Sequence, residues 1–134
     1  MLFRSESGLL SYGGDTDDQT NPFEVRLGKY VDVNLPDEVV GISTLRKIKA
    51  EGPKRQQLGV ILDDETPAGS SFIWFDILSG GQKIGSMTNI TWSYRLKKNI
   101  GFALVSISAK AGDKVTVMRS GKTENATLAE LPFL

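Results

Sequence analysis

From Gln56 to the end of the chain, segments rich in apolar residues recur about every ten residues and are separated by turn sequences, a spacing met by small closed or sandwiched β folds. Strands are expected at residues 57–62, 72–78, 82–91, 101–108, 114–119 and 122–130. Ser79-Gly80-Gly81 and Ser120-Gly121 are hairpin signals, because glycine reaches the positive φ values that tight connections require. The longer links are the acidic stretch 63–69 and the turn 110–113. The expected class is mainly β: an antiparallel, Greek-key-like barrel of six or so strands, preceded by two short helices. Alternation and apolar runs assign Val60, Leu62, Ile73, Phe75, Ile77, Ile84, Met87, Phe102, Leu104, Val115, Val117 and Leu128 to its core.

Within this pattern the stretch 83–105 places two apolar segments around a polar turn carrying an aromatic pair. Residues 91–95, Thr-Trp-Ser-Tyr-Arg, are expected to start a single helical turn between two strands. Trp92, Tyr94 and Arg95 are the candidates for contact with a flat ligand or a neighbouring domain, since aromatic rings give stacking area and Arg a planar cation. The alternative is that these side chains wedge against the barrel's own loops.

The segment before the barrel reads differently. Asp15, Asp17 and Asp18 lie in a turn-forming stretch that lacks the spacing, the central glycine and the terminal Glu of a calcium loop. Residues 21–28 carry a capping Asn, Pro at the first helical position, an acid in the first turn and a closing Gly, which predicts a short helix. Alternation over 29–33 predicts a brief strand. Ile42, Leu45 and Ile48, followed by Gly52-Pro53, predict an amphipathic helix over 41–52. Its basic neighbours Lys47, Lys49, Lys54 and Arg55 could meet a phosphate or a polyglutamyl tail, or simply form a solvated face. The apolar residues of 2–33 exceed what one short helix and strand can bury, so a homodimer through residues 2–33 is expected at high concentration.

Composition removes whole classes of chemistry. The 134 residues suit one domain, and Lys plus Arg (16) balance Asp plus Glu (16), so no global field attracts nucleic acid. There is no cysteine and no histidine. Disulfides, thiolate or imidazole metal sites, and Ser-His or Cys-His catalysis are therefore excluded. No apolar run reaches the roughly 18 residues that span a bilayer, and the opening residues lack the pattern of a secretory leader. No membrane association and a cytoplasmic location are expected. In that compartment the Asn89-Ile90-Thr91 and Asn125-Ala126-Thr127 sequons carry no meaning.

Ile84, Gly85, Thr88, Ser93, Leu96, Lys98, Ile100, Ala103 and Val105 fall on the pattern I-G-x-x-T-S-G-x-x-S-P-x-L-x-K-x-I-x-x-A-x-V. On these residues the chain resembles the C-terminal barrel of the glycine-cleavage T-protein (aminomethyltransferase) family, which includes related folate-dependent demethylases such as dimethylsulfoniopropionate demethylase. The likeness extends upstream. Phe3 to Gly8 resembles the family's L-R-L-E-A-G with Ser5 and Ser7 in place of Leu and Ala; Tyr12-Gly13-Gly14-Asp15, the Asn21-Pro22-Phe23-Glu24 segment and the helix leading to Gly52-Pro53 follow. The resemblance implies that residues 1–36 are the end of a preceding folate-binding region with a connecting arm, and 37–134 the C-terminal β-barrel with its leading helix. It implies a fragment of a tetrahydrofolate-dependent aminomethyl or methyl transferase whose folate is held mainly by the preceding domains, with a lipoyl carrier protein as partner in a true T-protein. No catalytic residue carries over, and the chain alone is expected to be inactive and to bind folate poorly. The alternative is a self-standing, non-catalytic binding or interaction barrel.

Overall fold

A computed structural model describes residues 2–134. Seven strands follow two helices and a 3-10 turn: α1 Leu2–Glu6, the 3-10 turn Gly28–Tyr30, α2 Ile42–Glu51, β1 Arg55–Leu62, β2 Phe75–Ser79, β3 Gln82–Met87, β4 Thr91–Ser93, β5 Lys98–Ser106, β6 Lys114–Arg119 and β7 Lys122–Ala129. The sheet runs β1-β7-β6-β2-β3-β5, and β5 pairs back onto β1, closing a six-stranded antiparallel barrel to which β4 is added as an extra strand. Closure removes the open edges that a sheet of this size would otherwise present.

β5 is the strand on which the barrel turns. On one side Ile100–Ser106 face β1; on the other, Lys98–Ile100 face β4 and Ala103–Val105 face β3. Two glycines permit this crowding. A Cβ on Gly85 would overlap the Leu104 carbonyl oxygen, and one on Gly101 the Asn89 carbonyl oxygen. Ala103 and Val105 point inward and pack with Leu58, Val60, Leu62, Ile77, Met87, Ile90, Val115, Val117 and Leu128.

The fold class is as expected, and several local expectations are corrected. Phe102 and Leu104 are buried but lie on the outer face of β5: Phe102 registers with Gly59, on whose outer side the Phe133 ring and Leu131 sit. A strand covered on both faces reads as a continuous apolar run, so alternation cannot supply its phase. Ile73 is 65% exposed and precedes β2, which begins only at Phe75. Phe75 and Ile84 are half-buried against the core cluster.

Residues 82–91 do not form one strand. The chain breaks between β3 and β4 at Thr88 to Ile90, where two polar side chains turn away from the sheet to meet Asp15. Residues 91–95 do not form a helical turn either, because Thr91–Ser93 pair with β5 and only then does the chain reverse through Lys97 at φ 53°. The capping pattern at Asn21 does form: Asn21 Oδ1 accepts the N–H groups of Phe23 (3.0 Å) and Glu24 (3.1 Å), and Glu24 Oε1 accepts the Asn21 N–H (3.0 Å). No helix grows from it, since Arg26 adopts φ 65° after a single turn. Residues 29–33 lie in the 3-10 turn and a following loop rather than in a strand. α1 was not expected; α2 was, closed by Gly52, whose N–H donates to the Ile48 carbonyl at 2.9 Å.

Candidate functional site

The segment before the barrel is fastened by buried polar side chains. Asp15 is 1% exposed: Oδ1 accepts hydrogen bonds from Thr88 Oγ1 (2.9 Å) and Asn89 Nδ2 (2.5 Å), and Oδ2 accepts the Ser11 N–H (2.9 Å) with the Arg4 guanidinium 3.8 Å away. A buried carboxylate is tolerated when donors and a cation surround it in this way. Asn89 passes the network inward, its Oδ1 accepting the Phe102 N–H at 3.3 Å. Arg4 also lies 4.9 Å above the Phe72 ring, and Trp74 Nε1 donates to the Gly14 carbonyl at 2.7 Å.

Two further clamps repeat the device. Glu6, buried at the end of α1, accepts the Ser93 hydroxyl at 2.5 Å, while its carbonyl accepts the Phe133 N–H at 3.1 Å. Glu24 takes the Arg55 guanidinium at 2.5 and 3.2 Å, and its carbonyl accepts the Gln57 N–H at 2.8 Å. The arm, the barrel wall and the C-terminal tail are thus joined into one assembly.

Trp92, Tyr94 and Arg95 are separated by this geometry. Trp92 is half-buried in β4 opposite Asn99, whereas Tyr94 (75% exposed) and Arg95 stand on the reversal that follows. None of the three lines the cavities described next.

The first cavity, about 310 Å³, is enclosed by the arm at Ser7 to Leu10, the turn from Val25 to Tyr30, Gln57 of β1 and Pro132 of the tail. Arg26 and Lys29 stand in its lining with no carboxylate among them. The second, about 330 Å³, lies between the Asn21 turn and the end of α2. It contains Lys54 and Arg55, half of the basic cluster, but also Glu24 and Glu51, and Lys47 reaches Glu51 at 4.0 Å. Its charge is balanced, which removes any preference for an anion. The first cavity was not visible in the sequence: its cations read there as the end of a helix and the start of a strand, and its floor residue as one position in a β run.

A family model described as the glycine cleavage T-protein C-terminal barrel domain matches residues 55–134. The mitochondrial dimethylglycine dehydrogenase of Mus musculus is 33% identical over 134 residues, covering 98% of this chain and 15% of that protein. An aminomethyltransferase of Thermotoga neapolitana is 35% identical over 130 residues, covering 97% of this chain and 34% of the relative. Among solved structures, the glycine cleavage system aminomethyltransferase T from Bartonella henselae superposes with a TM-score of 0.82 at 21% identity, over 98% of this chain and 37% of that one. The chain therefore spans only between about a seventh and a third of the relatives it matches.

Proposed function

We propose a function from one premise: the chain belongs to the glycine-cleavage T-protein family, as its C-terminal barrel domain. The reading is that it serves as the third part of a tetrahydrofolate-dependent one-carbon transferase, moving an aminomethyl or methyl group. The observation that carries it is near-complete coverage of this chain by aminomethyltransferases of which it forms about a third. Residues 1–36 then act as the arm reaching back to the preceding domains and 37–134 as the barrel with its leading helix.

Tetrahydrofolate needs a site that encloses a pterin, a benzoyl ring and a glutamate. Neither cavity of this chain can enclose all three, at about 310 and 330 Å³, the low end of the volumes that hold even drug-sized ligands. The residues present do not fit the whole cofactor, so no chemical step is assigned to them. Their contribution is positioning: a rigid barrel holds the arm, and the arm holds whatever domain precedes it. Trp92, Tyr94 and Arg95 remain proposed contacts of that neighbouring domain. A lipoyl carrier protein is the proposed partner of the intact enzyme, and the cytoplasm the proposed compartment.

Phe3 (83%), Leu9 (60%), Tyr12 (78%) and Tyr30 (75%) leave apolar surface uncovered on the arm. Preceding domains would cover it; in their absence a second copy would, through residues 2–33. The decisive experiment is calorimetric titration of the 134-residue chain with tetrahydrofolate beside the product of any in-frame upstream sequence. The expected result is heat and one-carbon transfer from the longer product and none from the chain. Submicromolar one-to-one binding by the chain alone would overturn the assignment, and the absence of any upstream folate-binding region would favour the self-standing, non-catalytic barrel, a reading that the closed β1–β5 seam also suits.

A further inference from the structure

We propose that the cavity between the arm, the Val25–Tyr30 turn and the tail is itself a binding site, for a small organic anion with a flat apolar body, of which an aromatic carboxylate is the simplest case. The site does not depend on the one-carbon reading, and it involves none of the residues of the stacking corner.

Gln57 is the first observation. It lines the cavity and is only 5% exposed. Its backbone N–H is satisfied by Glu24, yet among the described residues its side-chain amide has no hydrogen-bond partner. Its amide atoms open onto the cavity rather than being sealed in the interior, where among the described residues the unpartnered side-chain atom is Ser5 Oγ, so they can meet a guest or solvent. Here the amide offers a donor and an acceptor at the cavity wall.

Arg26 and Lys29 are the second. Arg26 sits at φ 65°, a conformation that an L residue adopts at a cost and that recurs at ligand sites. One guanidinium nitrogen, Nη2, donates to the Leu131 carbonyl at 2.5 Å, which anchors the group beside the tail; the remaining N–H donors of the fork are left for an acceptor. Lys29 Nζ lies 5.0 Å from the Tyr30 ring centroid. Among the described residues neither cation has a carboxylate within ion-pair distance, and no acid lines the cavity.

The walls decide the rest of the ligand. Leu9, Leu27 and Pro132 supply apolar surface; a bare inorganic anion would leave it wet, and a neutral hydrocarbon would leave both cations unused. A ring bearing one carboxylate satisfies walls and cations together, and a polar substituent on the ring can reach Gln57.

The test is a nitrogen-15 NMR titration of the 134-residue chain with benzoate, benzyl alcohol and inorganic phosphate in parallel. Benzoate is expected to shift the Gln57 side-chain amide and the Leu27 and Tyr30 backbone N–H signals saturably, with benzyl alcohol and phosphate each binding about tenfold more weakly, the worth of a charge-assisted hydrogen bond. The double substitution Arg26→Gln with Lys29→Gln should lower benzoate affinity by about tenfold or more on the same grounds. Should Arg26→Gln disturb folding, Lys29→Gln alone, at an exposed position, still predicts a several-fold loss. Shifts that never saturate, equal binding of benzyl alcohol, or phosphate reproducing the whole response would each overturn the assignment.

Discussion

The barrel and the arm are held by opposite means. Inside the barrel a continuous cluster from Leu58 to Leu128 is almost wholly apolar and packs between neighbouring strands. In residues 2–36 the fully buried apolar side chain is Val25, whereas Ser5, Glu6, Asp15 and Glu24 are buried polar groups. The barrel is stabilised by area, which tolerates exchange of one apolar residue for another of similar size. The arm is stabilised by a few bonds whose partners lie far away in sequence, and each bond fails as a unit when one partner is lost.

The sharpest break of that contrast is at Phe102, whose ring belongs to neither region alone: it grows from the barrel wall but is buried on the outer side, on the face covered by the tail. Phe102→Ala is expected to cost about 3–5 kcal/mol, measured by chemical denaturation. A loss below about 1 kcal/mol would show that the outer layer adds little to the barrel.

Asp15→Ala comes next. It strands the Thr88 hydroxyl, the Asn89 amide and the Ser11 N–H together, and a loss of about 2–4 kcal/mol is expected. Hydrogen exchange should separate the two regions, with protection disappearing from the arm while β6 and β7 keep theirs. Uniform loss across all strands would mean that arm and barrel unfold as one.

Gly59→Ala is milder. Its Cβ would stand 2.7 Å from the Phe133 ring, which must move aside; about 1–2 kcal/mol and displaced tail resonances are expected, with the barrel core unchanged. An unperturbed Phe133 would show that the tail does not rest on β1.

The smallest effect belongs to a surface pair. Lys98 Nζ donates to Glu65 at 2.8 Å and holds that carboxyl below its ordinary range, the hydrogen bond contributing more than the charge. The folded-state value being depressed, any stability it adds is present above the unfolded carboxylate range and fades as pH falls through the folded one. Because the carboxyl is fully exposed, Lys98→Ala should leave the denaturation midpoint nearly unchanged and move only the Glu65 titration upward. A Glu65 titration that stays put would assign the depression to something other than Lys98.

The same contrast explains what could be read in advance. Strands and turns in the barrel were legible because alternation and Gly-containing reversals are local signals; Ser79 to Gln82 and Arg119 to Lys122 pair where the turn residues placed them. The phase of β5 was not, because Ile100 to Val105 is buried on both faces. The Asn21–Glu24 capping pattern was legible, yet the turn ends at Arg26, at φ 65°, whose guanidinium meets the Leu131 carbonyl 105 residues away. Asp15 looked like part of a solvated acidic loop, and only the fold brings Thr88 and Asn89 to it from 73 and 74 residues away. The anion cavity was invisible for the same reason: Gln57, Arg26 and Pro132 meet through tertiary closure.

One contact between the regions has a mechanical meaning. The N–H groups of Phe133 and Leu134 both lean on the Glu6 carbonyl, at 3.1 and 3.4 Å, so the residue that ends α1 and the last residue of the tail share one anchorage. Polypeptide or cargo attached at either end leaves from a common pivot, and tension applied between the ends loads that pivot before it loads any strand pair of the closed barrel.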